Sequence, residues 1–123
     1  MKSLFETYNL VLNEAIANSQ IINPIEKKLL VKFKYDNEND WREGEMYVFG
    51  KNHLGNELIR VFQLKGPSKR GNNQWKTFRK DKIKDLKVVK TLFFWDKKFD
   101  KPRDKYNKSG DKSMAQIYNS AKF

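Results

Sequence analysis

Lys69 and Arg70 stand in a polar loop and Lys76 follows on the next apolar segment, a spacing that lets three cations clamp a sugar-phosphate backbone. Trp75, Trp95 and Tyr106 lie among further basic residues, and Arg103 belongs to the same basic set as Tyr106. An aromatic ring in such a setting is a stacking platform, worth about 1–3 kcal/mol for each base it holds. The implied chemistry is charge neutralisation plus stacking, with no bond made or broken. Each residue also has a plainer use: cations at a solvated loop tip, rings in the core of a small β domain.

The charge distribution favours the anion-binding use. Residues 65–112 carry 17 Lys and Arg against 6 Asp and Glu, whereas residues 1–64 carry 8 against 9, so the net +11 of the chain resides in one stretch. A field of one sign confined to part of a small domain attracts polyanions, and neutralised phosphates release counterions. An A-rich coding sequence also yields 21 Lys against 5 Arg, with 12 Asn. Codon bias raises lysine everywhere, however, and this excess is regional.

Other chemistries find few residues. His53 is the only histidine and sits in a turn, and there is no cysteine, which excludes disulfides, thiolate nucleophiles and cysteine metal sites. Asp36, Glu38, Asp40 and Glu43 form an acidic run without the central glycine or spacing of a Ca²⁺ loop, and read as solvated. With no Gly-rich phosphate loop, nucleophile elbow or dinucleotide fingerprint, neither an enzyme nor a cofactor is expected. The first twenty residues contain Glu6 and Glu14 and no apolar run of signal-peptide or membrane-span length. The expectation is a cytoplasmic protein with no membrane partner.

The elements that must position these groups follow from periodicity. At 123 residues the chain fits one domain, and a mean hydropathy of −0.87 implies a well-wetted surface. Ser3 and Glu6 make a capping-box pattern, and Phe5, Tyr8, Leu12, Ala15 and Ile16 share one helical face, predicting a helix over about residues 4–18. Leu29 to Tyr35 alternates as a strand with Val31, Phe33 and Tyr35 inward. Met46–Phe49 and Leu58–Leu64 predict a hairpin around Gly50 and the turn residues 53–56. Gln74–Arg79 predicts a strand, 81–85 a tight turn burying Ile83 and Leu86, and 86–94 a further strand. Phe33, Phe62, Phe78 and Phe93 are assigned to the core. Residues 96–111 read as a charged loop, and Met114, Ile117, Tyr118 and Ala121 as an amphipathic terminal helix over about 112–121. The whole predicts an α+β, mainly β fold: a small antiparallel barrel or strongly bent sheet.

Met46-Tyr47-Val48-Phe49-Gly50, Arg60-Val61-Phe62-Gln63-Leu64 and, more closely, Phe78-Arg79-Lys80-Asp81-Lys82-Ile83 resemble the WYL domain, with Lys82 where the family motif has a second arginine. The resemblance covers about residues 14–90 and implies an SH3-like or Sm-like five-stranded antiparallel barrel, here flanked by an N-terminal and a C-terminal helix, in a family that senses ligands, often nucleic acids or nucleotides. It also implies that Arg60, Arg79 and Lys82 contact the ligand, with Asp81 in a plain salt bridge as the competing use of Arg79. Before residue 29 there is no room for the helix-turn-helix that usually accompanies the domain, so a free-standing module is expected. The tail Tyr106-Asn107-Lys108-Ser109-Gly110-Asp111-Lys112-Ser113-Met114 is similar to that of small bacteriophage proteins, which would place the chain in host cytoplasm.

Two functions follow. The first is a non-catalytic module that binds DNA or RNA, single-stranded or irregular, through its basic half. The second is a sensor of a small anionic nucleotide, or an adaptor for an acidic protein, built on Arg60, Arg79 and Lys82.

Overall fold

The computed structural model describes residues 16–90, 103, 105–107 and 111–123. The helix expected over 4–18 lies almost wholly outside them, as do Phe93 and Trp95. The described residues form one helix, α1 (Asn18–Lys27), and the strands β1 (Leu30–Tyr35), β2 (Arg42–Lys51), β3 (Glu57–Lys65), β4 (Gln74–Arg79), β5 (Ile83–Lys90) and β6 (Gln116–Ser120), with a single 3-10 turn at Lys80–Lys82. No helix among the described residues is long and apolar enough to cross a membrane.

Helix α1 falls where Pro24 argues against one. Its stripe is Ile21, Pro24 and Ile25, all buried, at helical spacing. The Ala17 amide donates to Gln20 Oε1 and the Gln20 amide to the Ala17 carbonyl, both at 3.0 Å, which closes the first turn. Pro24 forgoes one intrahelical hydrogen bond but its ring joins the apolar stripe, so burial outweighs the local cost. The helix ends at Lys28, whose φ of 57° is left-handed.

All the strand pairings are antiparallel, in the order β4-β3-β2-β1-β5 with β6 added to β2. This is an open sheet, and the expected closed five-stranded barrel is not formed. Closure would need a β4–β5 ladder. Instead the 3-10 turn sends β5 directly onto the outer edge of β1, and the end of β4 meets β1 through side chains, by a bond from the Arg79 amide to the Tyr35 hydroxyl (3.1 Å) and by the Phe78 ring packed against Phe33 and Tyr35.

The second correction is the terminal helix, which is strand β6. On one side β2 pairs with β3 along nearly its whole length, but on the other β1 reaches only Glu45. The register slips between Met46 and Val48, a bulge at Tyr47 that bends β2 and leaves residues 48–51 with unpaired backbone groups. Residues 116–120 fill that edge, and the Ala121 amide adds a 2.7 Å bond to the Tyr47 carbonyl. The helical spacing of Met114, Ile117, Tyr118 and Ala121 was a coincidence of composition: Met114 and Ala121 are buried, while Ile117 and Tyr118 are each 38% exposed. Backbone pairing on a waiting edge outweighs an incomplete apolar stripe.

Both faces of β2 are covered. The first face holds Val31, Phe33, Met46, Phe49, Ile59, Val61, Phe78 and Ile83 with Ile21 and Ile25 of α1, the main core. Phe33 and Phe78 meet edge to face at 5.0 Å, as the core assignment of both requires. The second face carries Glu45, Tyr47, Phe62 and Trp75, with Glu45 paired to Phe62 and Phe62 to Trp75 across the ladders. Arg103 and Tyr106 supply groups that cover this second face.

Candidate nucleic-acid interface

Strict alternation along β4 sends Phe78 and Lys76 to the first face and Trp75 and Arg79 to the second. Phe78 is buried, whereas Lys76 lies near the loop end of the strand and reaches out to donate to Ser68 Oγ at 2.7 Å. Partial burial, together with the Arg42 and Arg70 guanidiniums nearby, lowers the Lys76 pKa. Lys69 and Arg70 are exposed in the β3–β4 loop, so Lys69, Arg70 and Lys76 do cluster. The loop is held from below by Arg42, whose Nη1 donates to Gln63 Oε1 (3.0 Å) and the Pro67 carbonyl (2.6 Å), and whose Nη2 grips Glu38. The acidic run is thus partly spent on an internal cation.

Four arginines, Arg42 among them, are held by carboxylates. Arg60 meets Asp111 with two bonds of 2.5 and 3.0 Å. Arg103 meets the fully buried Glu45 with two bonds of 3.0 Å while its guanidinium lies 5.1 Å from the Phe62 ring centroid. Arg79 meets Asp81 at 3.1 and 2.6 Å, the turn-fixing salt bridge, and Lys82 sits half-buried beside it in the same 3-10 turn. Fork-to-carboxylate pairing of this kind fixes geometry but occupies the donors that would otherwise grip phosphate. The lysines and the exposed Arg70 are therefore the cations left for a ligand among the described residues.

Trp75 and Tyr106 do come together. Their rings lie 6.0 Å apart and nearly parallel at 27°, and Tyr47 contacts both, at 4.6 and 5.0 Å. The Tyr106 hydroxyl donates to the Ala121 carbonyl at 2.9 Å, which ties this segment to the end of β6. Two grooves flank the pair. One, of about 280 Å³, is lined by Arg60, Trp75, Lys105, Tyr106, Asp111 and Lys112, and the other, of about 590 Å³, by Phe62, Asn73, Gln74, Trp75, Arg103 and Lys105. They share Trp75 and Lys105, and between them present rings, ammonium groups and side-chain amides.

The Arg60–Asp111 pair holds the wall of the smaller groove. Burial pushes the Asp111 carboxyl up, but hydrogen bonds from Arg60 and Ser113 outweigh it and hold the group at about 2. A folded-state value depressed from 3.8 stabilises the fold above the unfolded value, and that contribution is lost as pH falls toward 2. Asp111→Asn is expected to remove about 2 kcal/mol at pH 7 and to flatten the acid limb of stability between about pH 4 and 2. Urea denaturation of both proteins across that range measures it, and parallel acid limbs would contradict the assignment.

Sequence reasoning passed over Trp41. Lys32, Lys34 and Lys87 place their ammonium groups 4.8, 4.9 and 5.2 Å from its ring centroid. The alternation of Lys32 and Lys34 with Val31 and Phe33 was readable, as was their outward orientation. What gathers them with Lys87 is the β1–β5 register, which no local pattern specifies. No protein family, curated protein or solved structure matches this chain.

Proposed function

We propose that the chain is a non-catalytic module that binds single-stranded or irregular nucleic acid on the second face of its sheet. The observation that carries this reading is the track about Trp75 and Lys105, the two residues shared by two grooves lined by aromatic rings, lysines and the amides of Asn73, Gln74 and Asn107. Rings offer stacking to any base, amides can bond base edges, and lysines follow the backbone. Arg60 and Arg103 act as struts in this reading, Lys105 and Lys112 meet phosphate along the track, and Lys69, Arg70 and Lys76 add cations at the β3–β4 loop beside it. The resemblance of Phe78–Ile83 to the WYL domain belongs to the same proposal, with that segment forming the end of β4, the 3-10 turn and the start of β5.

The alternative, a nucleotide gripped by Arg60, Arg79 and Lys82, has less support because both guanidiniums already hold a carboxylate through two donors. Filter binding of DNA and RNA single strands across a salt series separates the two. Affinity is expected to fall as salt rises, with a logarithmic slope of about −0.7 for each phosphate neutralised, and Lys105→Gln with Lys112→Gln to flatten that slope by about 1.4. No binding at low salt, or binding indifferent to salt, would overturn the proposal. A thermal shift with a mononucleotide that oligonucleotides do not reproduce would favour the alternative.

A further inference from the structure

We infer that Trp41 with Lys32, Lys34 and Lys87 is a second contact point for the same strand, holding one phosphate among three ammonium groups and one base against the indole. Lys32 and Lys34 are two residues apart on β1 and so share the second face, and Lys87 of β5 is the ladder partner of Lys32. Extending the β1–β2 ladder by one residue beyond the Phe33–Arg42 pair brings Trp41 opposite Lys34. Three lysines from two strands thus converge on one partly exposed indole.

The arrangement is costly for folding alone. Like charges directly opposite one another on a ladder repel. Carboxylates are at hand: Glu43 is the ladder partner of Lys32 and Asp85 that of Lys34. Yet no ion pair forms between these lysines and any carboxylate among the described residues, and the ammonium groups approach the ring instead. Repulsion left standing beside available acids is expected where a ligand supplies the missing negative charge. Three ammonium groups that form no ion pair with the neighbouring carboxylates fit a phosphodiester, and the indole supplies the stacking surface that follows it along a strand.

Position supports one strand on both points. From β4, which carries Trp75, to β1 is three strand spacings, about 14 Å of sheet. A strand engaging both points gains from the high effective concentration of the second contact once the first is made, and a strand too short to span them does not.

This inference rests on the nucleic-acid reading, and one experiment separates their failures. The full chain, a Lys32→Gln, Lys34→Gln, Lys87→Gln triple variant, a Trp41→Leu variant and a charge-matched Lys27→Gln, Lys51→Gln, Lys84→Gln control are titrated with oligonucleotides of about 4 and about 16 nucleotides over a salt series. For the longer strand the triple variant is expected to flatten the salt slope by about 0.7, the share of the one phosphate it would release, and Trp41→Leu to weaken binding roughly five- to a hundredfold. The control is expected to leave the slope unchanged, and the short strand to lose the effect of the triple variant. The triple variant should also melt at a higher temperature than the parent at low salt. If the longer strand binds the parent and the triple variant with equal slopes, this inference fails and the reading behind it stands. If no oligonucleotide binds the parent at low salt, both fail.

Discussion

Replacing Arg103 by Met is expected to cost about 3 kcal/mol at pH 7, because it leaves the Glu45 carboxylate buried without its cation. Burial already pushes the Glu45 carboxyl up, against the opposing pull of Arg103 and the hydrogen bond from the Tyr47 hydroxyl. A carboxyl raised in the folded state favours folding when protonated, and that advantage is lost as pH rises through the unfolded value toward the folded one. Without Arg103 the rise is larger, so the deficit of the variant is expected to be largest near pH 7 and to shrink as pH falls from there toward the ordinary glutamate value. Adding Glu45→Gln removes the stranded charge and should recover most of the loss at neutral pH, a coupling that a double-mutant cycle measures. Guanidinium denaturation of the four proteins at two pH values gives the result. A deficit independent of both pH and Glu45 would mean that Arg103 acts through packing on Phe62 alone. The functional consequence is local: Arg103 holds the chain just before Lys105 and Tyr106 against the sheet, so the same variant should weaken oligonucleotide binding even where the protein remains folded.

Gly50→Ala is expected to have a comparable effect by a steric route. A methyl group there would run into the Gln116 carbonyl oxygen and come within 2.8 Å of Met114 Sδ and 3.1 Å of Ile117 Cα. Two of these three atoms belong to backbone, so the strain cannot be relieved by a rotamer change, and β6 must part from β2. The expected cost is about 3 kcal/mol. Because the Tyr106 hydroxyl is bonded to Ala121 at the end of β6, and Asp111 lies just before β6, the groove walls move with it. Gly55→Ala is the control. Its Cβ meets nothing within 4 Å, and only the φ of 85° opposes it, a cost of about 1 kcal/mol. Thermal denaturation of the two variants should separate them clearly, and equal losses would contradict the packing of β6 on β2.

The strands that a period of two could announce were readable. Lys32 and Lys34 between Val31, Phe33 and Tyr35 fall where alternation put them, and the run from Gln74 to Arg79 is the strand expected there. The hairpin turn was equally plain, with Gly55 in the left-handed region and Asn52 Oδ1 accepting the amides of Leu54 and Asn56. Helix α1 was not, because Pro24 marks a break by local rules, and only the core beneath Ile21 and Ile25 overrides it. Of the residues chosen for binding, Trp75, Tyr106, Arg60 and Arg103 gather about one track, Lys69, Arg70 and Lys76 about one loop, and Arg79 and Lys82 share a turn in which Arg79 is bound to Asp81. Trp95 lies outside the described residues.

By itself the sequence determined the quantities that add along a chain: the regional charge of residues 65–112, the alternation of the strands and the turn residues between them. The tertiary structure decided every property that depends on a distant partner. Asp111 neutralises Arg60 from 51 residues away and Glu45 neutralises Arg103 from 58 away. These pairings turn the guanidiniums from candidate phosphate ligands into struts. The bulge at Tyr47 opened the edge that made residues 116–120 a strand. The β1–β5 register drew three lysines around Trp41. Charge is a sum over residues, but whether a charge is available to a ligand depends on the sheet register that supplies or withholds its counterion.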